Sequence, residues 1–251
     1  MKAENGLIPV SIRPKGYYLD FPLRYQLFVF GMAVFFTVMS FYKGDIWGLT
    51  MSMFLFLIGG SWWLDTKERK RRAIYLESYP FPSTIKDEVR KQYPFLSDDQ
   101  LALVLQGLRQ YFQLCNLAGK KFSIRDGAIF SRIISLPRNK RMVAMPSRVV
   151  DVAWHEFILS TRLYEEFCNN GIGRFLHHTP VTAAETPQEV IDGGKEAWRV
   201  ACEWEEIDQQ SPSRLPFLFA IDTALDIPDG FKHSLDNEYA TEETQMNNGC
   251  G

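Results

Sequence analysis

The chain has few cysteines and none is paired: Cys115, Cys168, Cys202 and Cys250 stand alone in 251 residues. That scatter offers no disulfide framework and no paired-cysteine zinc site, and it fits a reducing compartment. The motifs that announce a nucleophile or a phosphate cradle are missing too, with no GxSxG, P-loop, HExxH or CxxC anywhere. Nor is there an excess of one charge. Lys and Arg number 28 against 30 Asp and Glu, a net charge of −2, so bulk electrostatics give no reason to expect a nucleic-acid partner. Residues 1–24 show no small-residue cleavage site of a secretory signal and are expected to form a cytoplasmic N-terminal segment.

Charge disappears altogether in two runs, Tyr25–Tyr42 and Ile46–Leu64, which hold no Asp, Glu, Lys or Arg. At the helical rise each run reaches about 27–28 Å, close to the hydrocarbon thickness of a bilayer. Only Lys43, Gly44 and Asp45 separate them, and Tyr25, Tyr42, Trp47, Trp62 and Trp63 sit near their ends like an interfacial belt. The fold class expected is therefore all-α, a two-helix transmembrane hairpin over residues 25–64 followed by a mainly helical cytoplasmic domain. Arg13, Lys15 and Arg24 precede the first run, and Lys67, Arg69, Lys70, Arg71 and Arg72 follow the second. This bias predicts a multi-pass inner-membrane protein with both termini cytoplasmic. The last five cations, in a basic juxtamembrane linker over residues 65–82, are candidate lipid-headgroup contacts. Small residues in the runs (Gly31, Ala33, Gly48, Ser52, Gly59 and Gly60) favour close helix approach and a homo-oligomer through the hairpin. Without an internal charge the hairpin reads as an anchor rather than an ion path.

Residues 83–231 read as a helical domain. Ser83 is expected to cap a short helix that stops before Pro94. Ser97 and Gln100 form a capping box for a helix to about Ala118, with Leu101, Leu105, Leu108, Phe112 and Cys115 as its apolar stripe. Residues 119–145 are irregular, with a basic loop at Arg138, Lys140 and Arg141. A second capping box, Thr186 to Glu189, opens a helix to about Asp208, and Leu215–Phe219 reads as a short apolar helix over the bundle. Residues 232–251 are polar and acidic, expected to be a disordered tail in which His233 has no evident partner.

The stretch from Pro146 to Pro180 organises this domain and holds three of the four histidines. Ser147 is a good N-cap, and no Pro or Gly follows until Gly171, so residues 148–168 read as one helix of about six turns. Val150, Ala153, Trp154, Phe157, Tyr164 and Cys168 fall on one apolar face, and Val152, Leu159, Leu163 and Phe167 on another. Between them runs a polar strip, roughly 60° wide, of Asp151, His155, Arg162 and Glu166. Asp151 and His155 are spaced i, i+4, so the carboxylate is expected to orient the imidazole and raise its pKa. Three uses of that pair stay open: a structural polar network, metal ligation and proton chemistry. His155 and Cys168 lie about 20 Å apart along an unbroken helix, too far to share one ion. The Gly171–Gly173 turn can fold the chain back, and of two adjacent histidines at most one then points at the helix. Candidate catalytic residues are Asp151 and His155; candidate metal ligands are His155, His177, His178 and Cys168. No cofactor is established by these residues; zinc or another transition metal is the one they suit.

In VDVAWHEFILSTRLYEEFC and the GRFLHHTP that follows, the chain resembles the glycine-rich-domain-containing-protein-like family, in its short bacterial members. The pattern is carried by Asp151, Trp154, His155, Thr161, Tyr164, Gly173 and His177 or His178, and the resemblance spans roughly residues 83–231. It implies a helical domain, marks those residues for testing and gives no enzyme class. Three functions are compatible with all this. The first is a membrane-anchored cytoplasmic helical module, resting on the lipid bilayer, that docks an unknown protein partner or self-assembles. The second is a metal-dependent or acid–base enzyme using Asp151, His155 and one of His177 and His178. The third is a pore-forming membrane effector.

Overall fold

The structure, a computed structural model, describes residues 23–44, 46–118, 143–178 and 187–235. Every regular element among them is helical and no strand is present. The expected all-α class holds. The chain divides into two compact units, one reaching to Tyr75 and the other taking the described residues from Leu76 onward.

The first unit is a pair of helices, α1 (Leu23–Lys43) and α2 (Ile46–Ser78). Gly44, at φ +63°, supplies the left-handed turn residue between them. Small side chains let the two helices close on each other. A Cβ at Gly48 would stand 2.8 Å from Ser40 Cβ, and the Ser52 hydroxyl donates across the pair to the Ala33 carbonyl at 3.0 Å. Thr37 and Ser52 share a hydroxyl hydrogen bond of 2.5 Å.

The membrane expectation is overturned here. Among the described residues no helix is long and apolar enough to cross a membrane. A span needs about 20 apolar residues. Arg24 and Lys43 bound the uncharged part of α1 at 18 residues, and α2 passes within one helix from its apolar half into Lys67, Glu68, Lys70, Arg71 and Arg72. The transmembrane hairpin and the multi-pass inner-membrane placement are corrected accordingly, and the pore reading loses its premise. The basic cluster is engaged locally: Arg71 and Arg72 both donate to Glu68 at 2.8 Å, and these bonds hold the Glu68 carboxyl down at about 2. Lys67 Nζ lies 5.2 Å from the centre of the Trp63 ring. The Arg69 side chain lies outside the described residues.

The second unit is built on α4 (Asp98–Leu117), which buries Leu101, Val104, Leu108, Tyr111, Phe112 and Cys115. Its capping box forms as the spacing predicts, with Ser97 Oγ accepting from the Gln100 N–H at 3.3 Å and Gln100 Oε1 accepting from the Ser97 N–H at 2.8 Å. Before it, α3 (Ser83–Gln92) is flanked by Pro82 without a side-chain cap, so Ser83 is its first residue and not its cap. Around α4 pack α5 (Arg148–Leu159), α6 (Thr161–Phe167), a π-helical turn at Cys168–Ile172, α7 (Pro187–Trp204) and α8 (Phe217–Ala224). Gly107 on α4 marks where two of them, α5 and α8, come closest, since a Cβ there would lie 2.9 Å from Val150 and 3.5 Å from both Leu218 and Ile221.

The Tyr79-Pro-Phe-Pro stretch does not trail outside this unit. Tyr79 and Phe81 stack edge-on into Phe157 and Phe167, and Arg109 donates to the carbonyls of Leu76 and Tyr79 at 3.1 and 3.0 Å. Burial pulls the Arg109 guanidinium below its ordinary range. The apolar helix α8 packs over the bundle as expected, with Phe217, Leu218, Phe219 and Ile221 buried. His233 does have a partner: its Nε2 donates to the Pro146 carbonyl at 2.8 Å while its ring meets Phe219. The loop cations Arg138, Lys140 and Arg141, the Thr186 cap, and the tail from residue 236 with Cys250 lie outside the described residues.

Candidate metal centre

The helix that carries the centre begins on a buried cap. Ser147 Oγ accepts from the Val150 N–H at 3.2 Å and donates to Asp222 Oδ1 at 2.7 Å. Asp222 in turn accepts from the backbone N–H groups of Arg148 at 2.6 Å and Val149 at 3.2 Å. A carboxylate bonded to the first free N–H groups of a helix is well placed against the helix dipole. It fixes the start of α5, and with it Asp151 in the first turn and His155 one turn on.

The expected single helix over residues 148–168 is broken. Ser160, at φ −78° and ψ +56°, ends α5, and α6 restarts at Thr161. A serine followed by a β-branched threonine holds helical geometry weakly. The break turns Tyr164 back toward Trp154, whose indole N–H donates to the Tyr164 hydroxyl at 3.1 Å. That hydroxyl donates to the Leu176 carbonyl at 2.6 Å, and burial raises its pKa, keeping the proton in place. Gly173, at φ +79°, takes the left-handed position after the π-helical turn. Turn and brace together return the segment to α5.

His178 arrives on that segment. Its Nε2 lies 2.9 Å from Asp151 Oδ1, and its ring centre is 4.3 Å from those of both Trp154 and His155. His155 Nδ1 is 3.9 Å from Asp151 Oδ2. One ligand atom from each of Asp151, His155 and His178 falls within 4.8 Å of the other two. Asp151 and His178 keep only 15% and 14% of their side-chain surface exposed, whereas His155 keeps 49%. The centre is walled on one side and open on the other.

Charge around the centre comes from Arg148, 3.7 Å from Asp151 and 3.2 Å from Asp229. His155 departs from expectation. Its pKa is lowered, because burial outweighs the pull of Asp151, with His178 and Arg148 adding to the fall. The i, i+4 carboxylate is in place, but at 3.9 Å it makes no hydrogen bond to offset lost hydration.

The other candidates stay out of the cluster. His177 is exposed and its ring stacks on Phe175. Cys168 is fully buried, its thiol is pushed up by burial, and it is not among the converging ligands. The support around the centre carries no local sequence signature. Asp222 lies in an apolar run some 70 residues from the helix it caps, and the Trp154–Tyr164 bond depends on a break that carries no proline or glycine.

A family model described as UCP032817-like matches residues 71–129 and 130–251. That is well over half of the chain, and the chain belongs to this family. The resemblance to the glycine-rich-domain-containing-protein-like family is corrected by this match: seven positions scattered between Asp151 and His178 are too few to fix a family. No curated protein and no solved structure matches the chain.

Proposed function

We propose that this UCP032817-like domain binds one divalent transition metal ion, zinc or a metal of similar taste, through Asp151, His155 and His178, and uses it to activate water. The observation that supports the reading is the convergence of three ligand atoms of the right kinds within 4.8 Å, from a helix and a returning segment 27 residues apart. Two imidazoles and a carboxylate make the donor set of many catalytic zinc sites, where a fourth position is left to water. The half-exposed His155 leaves a solvent side on which that position would lie. Its lowered pKa favours the neutral imidazole, the form that can ligate. Bound water at such an ion is acidic enough to serve as a nucleophile near neutral pH.

A second reading is favoured by the 2.9 Å bond between His178 and Asp151, which needs no ion. On that reading the pair is a clasp holding the 173–178 segment to α5. Elemental analysis of the purified full chain separates the two. The metal reading expects close to one equivalent of metal, lost in Asp151→Ala and in His178→Ala. Under a tenth of an equivalent after zinc loading, unchanged by either substitution, leaves only the clasp.

A further inference from the structure

We infer that Arg148 makes the open side of the centre a binding site for an oxyanion, the phosphate or carboxylate group of a small substrate. The inference rests on the metal reading proposed above. Arg148, Asp151 and His155 follow one another at offsets of three and four residues, so they share one stripe of α5. The guanidinium and the His155 ring approach the same carboxylate oxygen. Arg148 Nη1 lies 3.7 Å and His155 Nδ1 3.9 Å from Asp151 Oδ2, while His178 takes Oδ1. The arginine therefore shares the His155 side of the centre, and 38% of its side chain is open to solvent.

The way Arg148 is held leaves its anion-binding edge free. Nε donates to Asp229 Oδ2 at 3.2 Å, and the other oxygen of Asp229 accepts from the Tyr93 hydroxyl at 2.9 Å. Tyr93 is buried at the end of α3, so a second element fixes the anchor. The approach to Asp151 is an ion pair, too long for a hydrogen bond. Nη1 and Nη2 thus have no hydrogen-bond acceptor among the described residues. Those two nitrogens can grip both oxygens of a phosphate or carboxylate at once. Charge points the same way. An arginine that served only to neutralise Asp151 would close on it, and this one stands back. Once a divalent ion takes up Asp151, the ion and Arg148 outweigh the two carboxylates, Asp151 and Asp229, and leave a positive excess. An oxyanion answers that charge.

Calorimetric titration of inorganic phosphate, and separately of acetate, into the full chain tests this. One arm uses zinc-loaded protein freed of excess metal, the other metal-free protein, and elemental analysis counts the bound zinc. The expected result is saturable binding of phosphate or acetate to the zinc-loaded chain, weakened about tenfold or more in Arg148→Gln, with zinc content unchanged. Arg148→Lys keeps the charge without the fork and should recover only part of the loss. It also carries the test if circular dichroism shows the glutamine variant unfolded. The anion bound more tightly identifies the group as phosphate or carboxylate. Zinc-loaded wild type that binds neither anion would overturn the inference, and so would binding indifferent to both substitutions, which gives the anion to the ion alone. A wild type that takes up no zinc would overturn the metal reading instead. The metal-free arm then decides: phosphate binding lost in Arg148→Gln keeps the oxyanion site, and no binding removes it.

Discussion

Asp222 is a carboxylate 2% exposed, and its hydrogen bonds run to the Ser147 hydroxyl and to the backbone N–H groups of Arg148, Val149 and Phe231. Gly230 lets the last of these approach, since a Cβ there would stand 2.8 Å from Asp222 Cβ. Replacing Asp222 by Ala leaves several buried donors unpaired. The expected loss is roughly 3 kcal/mol or more, read by urea denaturation; a loss under about 1 kcal/mol would show the cap to be dispensable. Tyr93 gives a residue-scale prediction in pH. Burial and its hydrogen bond to Asp229 push the phenol up to about 12. The folded pKa exceeds the unfolded value near 10. The stability linked to Tyr93 is therefore complete below about pH 10 and is lost as pH climbs through 12. Ultraviolet titration of the phenolates should lose one group near pH 12 in Tyr93→Phe. If the group lost titrates near 10 instead, the buried bond is absent.

At the scale of elements, the apolar faces of residues 148–168, the Ser97–Gln100 box and the short helix at Phe217 could all be read from residue spacing. Each is a local pattern in which period or cap chemistry speaks for itself. The break at Ser160 could not be read so, because it is a tertiary event. The Trp154–Tyr164–Leu176 bonds reward a kink that the local sequence only permits. The same holds for the polar strip. Asp151 and His155 were legible as neighbours, but which of His177 and His178 joins them depends on the path after Gly173. That path is itself testable. Gly173→Ala puts a Cβ on a left-handed residue at a cost of about 1–2 kcal/mol. It should lower the melting temperature and weaken zinc binding together, because His178 is carried by the displaced segment. A variant that melts early but binds zinc as tightly as the wild type would uncouple the turn from the centre.

On the scale of the whole molecule, two units divide the chemistry. The unit up to Tyr75 exposes apolar rings and holds its seam with hydroxyls, and the unit from Leu76 buries most of its aromatics and keeps a half-open titratable cluster. Composition made this contrast visible, since charge vanishes over Tyr25–Tyr42 and again over Ile46–Leu64, and returns in strength from Asp65. Composition could not say what covers the first unit, because an apolar helix carries the same residues whichever apolar surface it meets. For the second unit the central claim is an ion held by Asp151, His155 and His178. Zinc K-edge X-ray absorption on the zinc-loaded full chain tests it most directly. The account predicts two imidazole nitrogens and further oxygen at about 2.0–2.1 Å, with the imidazole signature halved in His178→Ala. A sulfur shell at about 2.3 Å, or a spectrum unchanged by His178→Ala, would contradict it.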